Sequence, residues 1–527
     1  MMKMRHIAVL AGCMTLASAC SDYLDVNTNP NGPQTVTANL YLPPMLHWLV
    51  TSPQFDGRHV GHYTQEWVST STLVSPAQTW GKMGYDPGSD NGAQQWRDVY
   101  WSLGQNLVDM NQKATDEQRW DLLGVGLILK AWGWQVLTDL HGEIVIQEAI
   151  DQSRTAFDYD TQQFAYEEVR RLLDSAMVLL QKAPGEGAVD PAYLAKGDKI
   201  YNGDRLKWLK FAHGLKALNL NHYSNKSTYD PAAVIAEVNA SFASNADDPL
   251  LLYPGISADN ADRNFWGASR ANITLYRQTQ FILNLLNGNQ FGGVQDPRLT
   301  RMLSPSPDGQ YRGLDPNVLG FGTLTTAQQP NNFFGYAGSA GVGLPSRYIF
   351  DDKSKIPVMT YAQLQFVKAE AALKMGDQAT ARAAYINGIS SHIDFVNARN
   401  LDAGQTPPQI TAAEKAAFLA NPAIVPAVIT LSHIMSQKYI AQWAWGHNEM
   451  WMDMRRYHYT DVDPVSGVEI FRGFSPPSPL YPDNAGKLVE RIRPRFNSEY
   501  VWNRAALDVI GGLATDYHTK PLWIIQP

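Results

Sequence analysis

The stretch TYAQLQFVKAEAALKMGDQATARAAYINGISSHIDFV, which begins at Thr360, leaves few options for the chain around it. Thr360 and Gln363 stand three residues apart, the spacing at which each side chain satisfies a free amide of a first helical turn. Apolar residues then recur with helical period as far as Met375. Gly376 stops the helix, and Asp377 is placed to cap a second one. Two helices joined by one Gly-Asp turn must run antiparallel, so the stretch predicts an αα-hairpin.

The alanine spacing and the tyrosine near the middle of this hairpin resemble a tetratricopeptide unit, although no clean repeat of about 34 residues recurs in the chain. Other helical patterns cover much of the sequence. Gln118 to Leu140 is apolar nearly all round, which predicts burial on most faces. Phe164 to Gln181, Arg205 to His222, Pro231 to Phe242, Ala412 to Leu419 and Ile429 to Trp445 follow. Trp96, Tyr100 and Trp101 fall in a helical pattern running to Met110 and are expected in the core. In Glu449–Tyr457, Trp451 and Arg455 are spaced to stack, and Asp453 and Arg456 to form an ion pair.

Between the helices lie two long non-periodic stretches, 57–91 and 254–356, rich in Gly, Ser, Asn and aromatic residues. Loops of this length in a compact protein usually carry function. No Pro/Ser linker divides the chain, so residues 20–527 read as one helical scaffold bearing large loops.

The N-terminus has a different chemistry. Lys3 and Arg5 precede an apolar run from Ile7 to Ala17 that is too short to span a bilayer. The chain has two cysteines, Cys13 and Cys20. Cys13 has the better local pattern but leaves too short an apolar run before it. Residues 1–19 are therefore read as a lipoprotein signal peptide, with Cys20 the acylated (palmitate-type) first residue of the mature chain. One remaining cysteine cannot form an internal disulfide.

The sequence is 44% apolar and 18% charged, with a net charge of −7, as expected of a globular body. It has no basic stripe, which argues against nucleic acid. A load of 15 Trp and 24 Tyr raises the expectation of exposed stacking platforms. No HExxH or Cys/His metal spacing appears. Ser339 sits in AGSAG, which lacks a glycine of the nucleophile elbow. The run from Asp25 has Val36 where a calcium loop needs glutamate. No carboxylate pair stands out as catalytic, and neither a cofactor nor a metal is expected.

Several segments, in order, resemble the SusD/RagB-type nutrient-binding outer-membrane lipoproteins. They are CSDYLDVNTNPN after the signal, LTDLHGEIVIQEAI from Leu137, YNGDRLKWLKFAHGLKALNL from Tyr201, DPRL at Asp296, YAQLQFVKAEAALKMGD from Tyr361, QKYIAQWAWGHNEMWMDMRRY from Gln437 and RPRFNSEYVWN from Arg493. The chain departs from the family pattern at GEIVI from Gly142 and at His213-Gly214. The resemblance implies a mostly α fold, a tetratricopeptide-like α-superhelix with a loop-rich lobe packed on it. It implies a lipid anchor on the outer face of the outer membrane and a SusC-like TonB-dependent barrel as partner. It also implies non-catalytic capture of nutrient, usually oligosaccharide. Peptide capture on the same scaffold is the alternative, and a glycoside hydrolase is a third reading.

A glycan site needs aromatic faces for sugar C–H groups, with amide, carboxylate or guanidinium partners for the hydroxyls. The first loop offers Trp67, Trp80, Tyr85, Asp86, Asp90 and Asn91. The second offers Asn264, Trp266, Arg270 and Asn272, with Asn331, Asn332, Phe333, Phe334 and Tyr336 further on. Trp80 and Trp266 are the expected leading platforms. The competing reading makes each aromatic a plug that pins its loop to the scaffold.

Overall fold

The computed structural model describes residues 36–73, 77–86, 88–183, 186, 190–257, 260–335, 347–402 and 408–527. The signal peptide, Cys20, the Asp25 run, Ser339 and Tyr336 lie outside these. The fold is mostly α. The hairpin forms as its sequence predicts, with helices Tyr361–Lys374 and Gln378–Arg399 packed together. The Gln363 amide donates to the Thr360 hydroxyl at 3.1 Å, and the Thr360 amide donates to the Gln363 side chain at 3.4 Å. Gly376 takes φ +79°, a left-handed turn that glycine adopts without steric cost.

Neighbours in sequence are neighbours in space. Helix Gly104–Asp116 packs on Trp120–His141, that helix on Gln162–Leu180, and that one on Arg205–Asn221. Pro231–Ala240 follows, then the Tyr361–Arg399 hairpin, Leu431–Gln442 and His447–Arg456. This is the stacking of a superhelix, in which each helix pair buries the face its neighbour leaves bare. His447–Arg456, the last helix of this stack, closes back onto the helix Leu42–Tyr63. The first of the two long loops is therefore shorter than the sequence suggested. Residues 57–63 continue this helix, because their glycines meet a packed surface. A Cβ on Gly61 would lie 2.5 Å from the Trp67 ring, and one on Gly57 2.2 Å from His447.

Two short antiparallel ladders tie the loops together. Trp67–Ser69 pairs with Tyr276–Gln278, and Leu250–Leu251 with Ile356–Pro357. Trp67 is the hub of an aromatic cluster within the main core, with Trp266, Phe333 and His447 at centroid distances of 5.4, 6.1 and 5.0 Å.

The charged run in Glu449–Tyr457 is mostly buried scaffold. The Arg455 guanidinium lies 3.8 Å from the Trp451 ring centroid, and Arg456 pairs with Asp453 at 2.6 Å. Arg456 also pairs with Glu370 at 2.6 Å, joining the last helix to the hairpin. Glu370 further accepts from Asn221 and from the Tyr457 hydroxyl, so its lone pairs are occupied on a side chain that has no solvent contact.

Candidate functional site

The structure overturns most of the expected platforms. Trp67, Trp80 and Trp266 are each 0% exposed. Trp80 is enclosed by His59, Tyr63 and Tyr85, with ring centroids 4.6, 5.2 and 5.1 Å away, and its indole N–H donates to Asp86 at 3.1 Å. Tyr85, Phe333 and Phe334 are buried as well. A ring with no accessible face cannot stack on a sugar, so these aromatics are plugs that hold the loops on the scaffold.

The amides Asn264 and Asn332 are also buried. Asn264 donates to the Ile349 and Asp351 carbonyls, and its own carbonyl accepts from Gln54. Asn332 accepts the Phe334 amide. Asp86 and Asn91 are half-buried, and Arg270 and Asn272 reach a cleft.

Two clefts meet at Arg97. The first encloses about 760 Å³ and is lined by Arg97, Trp101, Gln105, Asp151, Arg154 and Glu499 among others. Trp101 is 64% exposed, contrary to its expected place in the core. Asp98–Leu103 is a π-helical stretch between helices Gln94–Arg97 and Gly104–Asp116. Trp96 packs inward on His141, while Trp101, five residues on, faces out. The Arg97 guanidinium lies 4.6 Å from the Trp101 centroid and fixes the ring in place.

Buried carboxylates hold this ridge. Asp56 accepts the Gln94 and Gln95 amides at 2.9 and 2.8 Å, and burial pushes its carboxyl up to about 7. Asp98 accepts from Ser52, Gln94 and Ser102, and burial raises its carboxyl too. The sequence signal for this site was the aromatic and polar density of WRDVYWS, which a regular helical period misassigned to the core.

Charges around the first cleft are neutralised locally. Arg154 pairs with Glu148 at 2.7 Å and Arg495 with Asp90 at 2.8 Å. Glu499 accepts from Tyr159 and Asn503. Asp151 accepts from the Ser153 hydroxyl and amide, which hold its carboxyl below the usual range. A glycosidase acid needs the opposite shift.

The second cleft, about 1290 Å³, runs between the Leu42–Tyr63 helix and residues 251–257 and 261–272. Its lining includes Trp48, Phe55, Lys199, Asp262, Arg270 and, shared with the first, Arg97.

Among the described residues, Asp139, His222 and Glu449 form a cluster of metal-ligand composition. His222 Nε2 lies 3.2 Å from Glu449, and Nδ1 lies 3.0 Å from the Tyr166 hydroxyl and 3.6 Å from Asp139. Burial alone would lower the imidazole, but the Glu449 and Asp139 carboxylates outweigh it and raise it to about 9. At neutral pH both ring nitrogens then carry protons, and the cluster is an ion network.

Residues 30–482 match a family model described as SusD-like, starch-binding associating with outer membrane. No curated protein matches the sequence. A SusD/RagB family protein of Bacteroides thetaiotaomicron is 22% identical, with TM-score 0.65 over 93% of this chain and 99% of that one. A SusD homologue of Bacteroides fragilis is 19% identical, with TM-score 0.68 over 93% and 100%. A chitin-binding SusD homologue of Flavobacterium johnsoniae is 18% identical, with TM-score 0.65 over 93% and 98%.

Proposed function

The chain belongs to the SusD-like family, described as starch-binding and associating with the outer membrane, and on that premise we propose that it is a non-catalytic cell-surface glycan-binding protein. It captures oligosaccharide and hands it to a SusC-like TonB-dependent barrel. The observation that carries this reading is the exposed Trp101 ring in the first cleft, backed by Arg97 and flanked by the polar side chains of Gln105, Asp151, Gln152 and Arg154. A flat aromatic face suits the C–H face of a sugar, and the side chains beside it suit hydroxyls. A chitin-binding relative of the same fold supports a saccharide ligand. Of the loop residues expected from sequence, Arg270 and Asn272 stay in the proposal through the second cleft.

Cys20 supplies the anchor, with two or three acyl chains, since one chain holds a protein to a membrane only marginally. Among the described residues no helix is long and apolar enough to cross a membrane. Tethering gives a high local concentration, so weak capture suffices for delivery.

The test is titration calorimetry against neutral oligosaccharides, with a reducing-end assay on the same mixtures. Binding at roughly micromolar to millimolar affinity without new reducing ends is expected. Release of new ends, or no binding to any member of a broad panel of neutral and charged oligosaccharides, overturns the reading. Detergent-solubilised native membranes should yield the protein with a large TonB-dependent barrel, and mass spectrometry should place the acyl chains on Cys20.

A further inference from the structure

The second cleft carries basic side chains beside its aromatic ones. Acidic residues outnumber Lys and Arg by 50 to 43 over the whole chain. Among the described residues that line the second cleft, Arg97, Lys199 and Arg270 stand with one carboxylate, Asp262. That carboxylate is already engaged: it accepts the Ser257 and Ile256 amides at 2.6 and 2.7 Å.

Lys199 is exposed and forms no ion pair within 4 Å among the described residues. Its neighbour Asp198 is committed elsewhere, accepting from the Ile200, Tyr201 and Gly203 amides and from the Trp208 indole. Arg97 has only a 3.7 Å approach to Asp98, whose oxygens already serve three other donors.

Positive charge also lies against the aromatic lining. The Arg58 guanidinium is 4.1 Å from the Phe55 centroid and 5.4 Å from that of Phe265, and Arg270 is 5.2 Å from Phe265. Arg58 has no carboxylate within 4 Å among the described residues, and its Nε donates to the Phe55 carbonyl at 3.2 Å. Trp48 and Phe55 are half-buried and offer partial aromatic faces in the same cleft.

We infer that the second cleft binds an anionic oligosaccharide, one whose sugar rings carry carboxylate or sulfate groups, with Lys199, Arg97 and Arg270 as the cationic contacts and Trp48 and Phe55 as ring contacts. Guanidinium groups suit both anions because their paired N–H donors match two oxygens of either. The inference rests on the glycan-binding reading and adds the charge class of the ligand and the place where it binds.

The experiment uses the mature chain and three oligomers of equal length: a neutral oligosaccharide, an oligogalacturonate and a sulfated oligosaccharide. Each is titrated at low and at high salt. At least one anionic oligomer should bind about tenfold tighter than the neutral one and weaken as salt screens the exposed charges. Which of the two does so tells carboxylate from sulfate. Lys199→Glu, a change on an exposed turn, should weaken the anionic ligand about three- to tenfold and leave the neutral one unchanged. Arg270→Gln, checked for folding by circular dichroism, should act in the same direction. Equal affinity for neutral and anionic oligomers, or an anionic affinity unmoved by both substitutions, overturns the inference and leaves glycan capture standing. Failure to bind any of the three, or any of the neutral panel, overturns both.

Discussion

Replacing Trp80 or Trp101 by alanine should produce opposite phenotypes. Trp80 is fully enclosed, its ring within 4.6 to 5.2 Å (centroid to centroid) of three other aromatic rings, and its N–H bonded to Asp86. Truncation removes the transfer energy of the ring and leaves a cavity, which together cost about 3–5 kcal/mol for a core tryptophan. Asp86 is only half-buried, so water can replace the lost indole bond and adds little to that sum. A loss of about 4 kcal/mol shifts the folding equilibrium roughly a thousandfold.

Trp101 loses little on truncation. With 64% of its surface already in water, what goes is its contact with Arg97, worth about 0.5–1 kcal/mol. Its contribution appears on binding, where stacking is worth about 0.5–1.5 kcal/mol, or about a two- to tenfold weaker Kd. The assay is thermal unfolding alongside calorimetry with the best-bound neutral oligosaccharide. A Trp80→Ala protein as stable as the parent but unable to bind, paired with a Trp101→Ala protein that binds normally, would refute the assignment of plug and platform.

Three further outcomes follow from the buried polar groups and close packing. His222 is raised above its ordinary value of 6.5 to about 9, so its contribution is complete below pH 6.5 and is lost as pH rises through about 9. Urea unfolding between those limits should show up to about 3 kcal/mol of lost stability, and His222→Gln should flatten that slope; an unchanged slope rejects the ion-network reading. Glu370→Leu should cost about 3–5 kcal/mol, because Arg456 is left buried with one carboxylate partner, Asp453. The paired change Glu370→Leu with Arg456→Met should recover part of that loss, and a double variant no better than the single one counts against it. Gly61→Ala should destabilise by about 1–3 kcal/mol, since its Cβ would sit 2.5 Å from Trp67; circular dichroism melts decide this, with an unchanged melt the adverse result.

The helices, their caps and their local pairs were legible in the sequence because each depends on residues within one or two turns. The capping box at Thr360, the stop at Gly376, the Trp451–Arg455 stack and the Asp453–Arg456 pair are all interactions spaced three or four residues apart, or turns that glycine alone makes cheaply. The sequence also determined that aromatic and polar groups would gather in two long loops. Only the tertiary structure decided which of them meet water. Trp67 is buried because its strand pairs with Tyr276–Gln278, some two hundred residues later in the chain, and because Gly61 lets the Leu42–Tyr63 helix approach its ring. Trp101 is exposed because its segment is tied through Asp56 and Asp98 to that same helix, in an orientation that buries Trp96 and leaves Trp101 on the outer side. Exposure of a side chain is set by what packs against it from elsewhere in the chain, and a run of residues read alone carries no record of that.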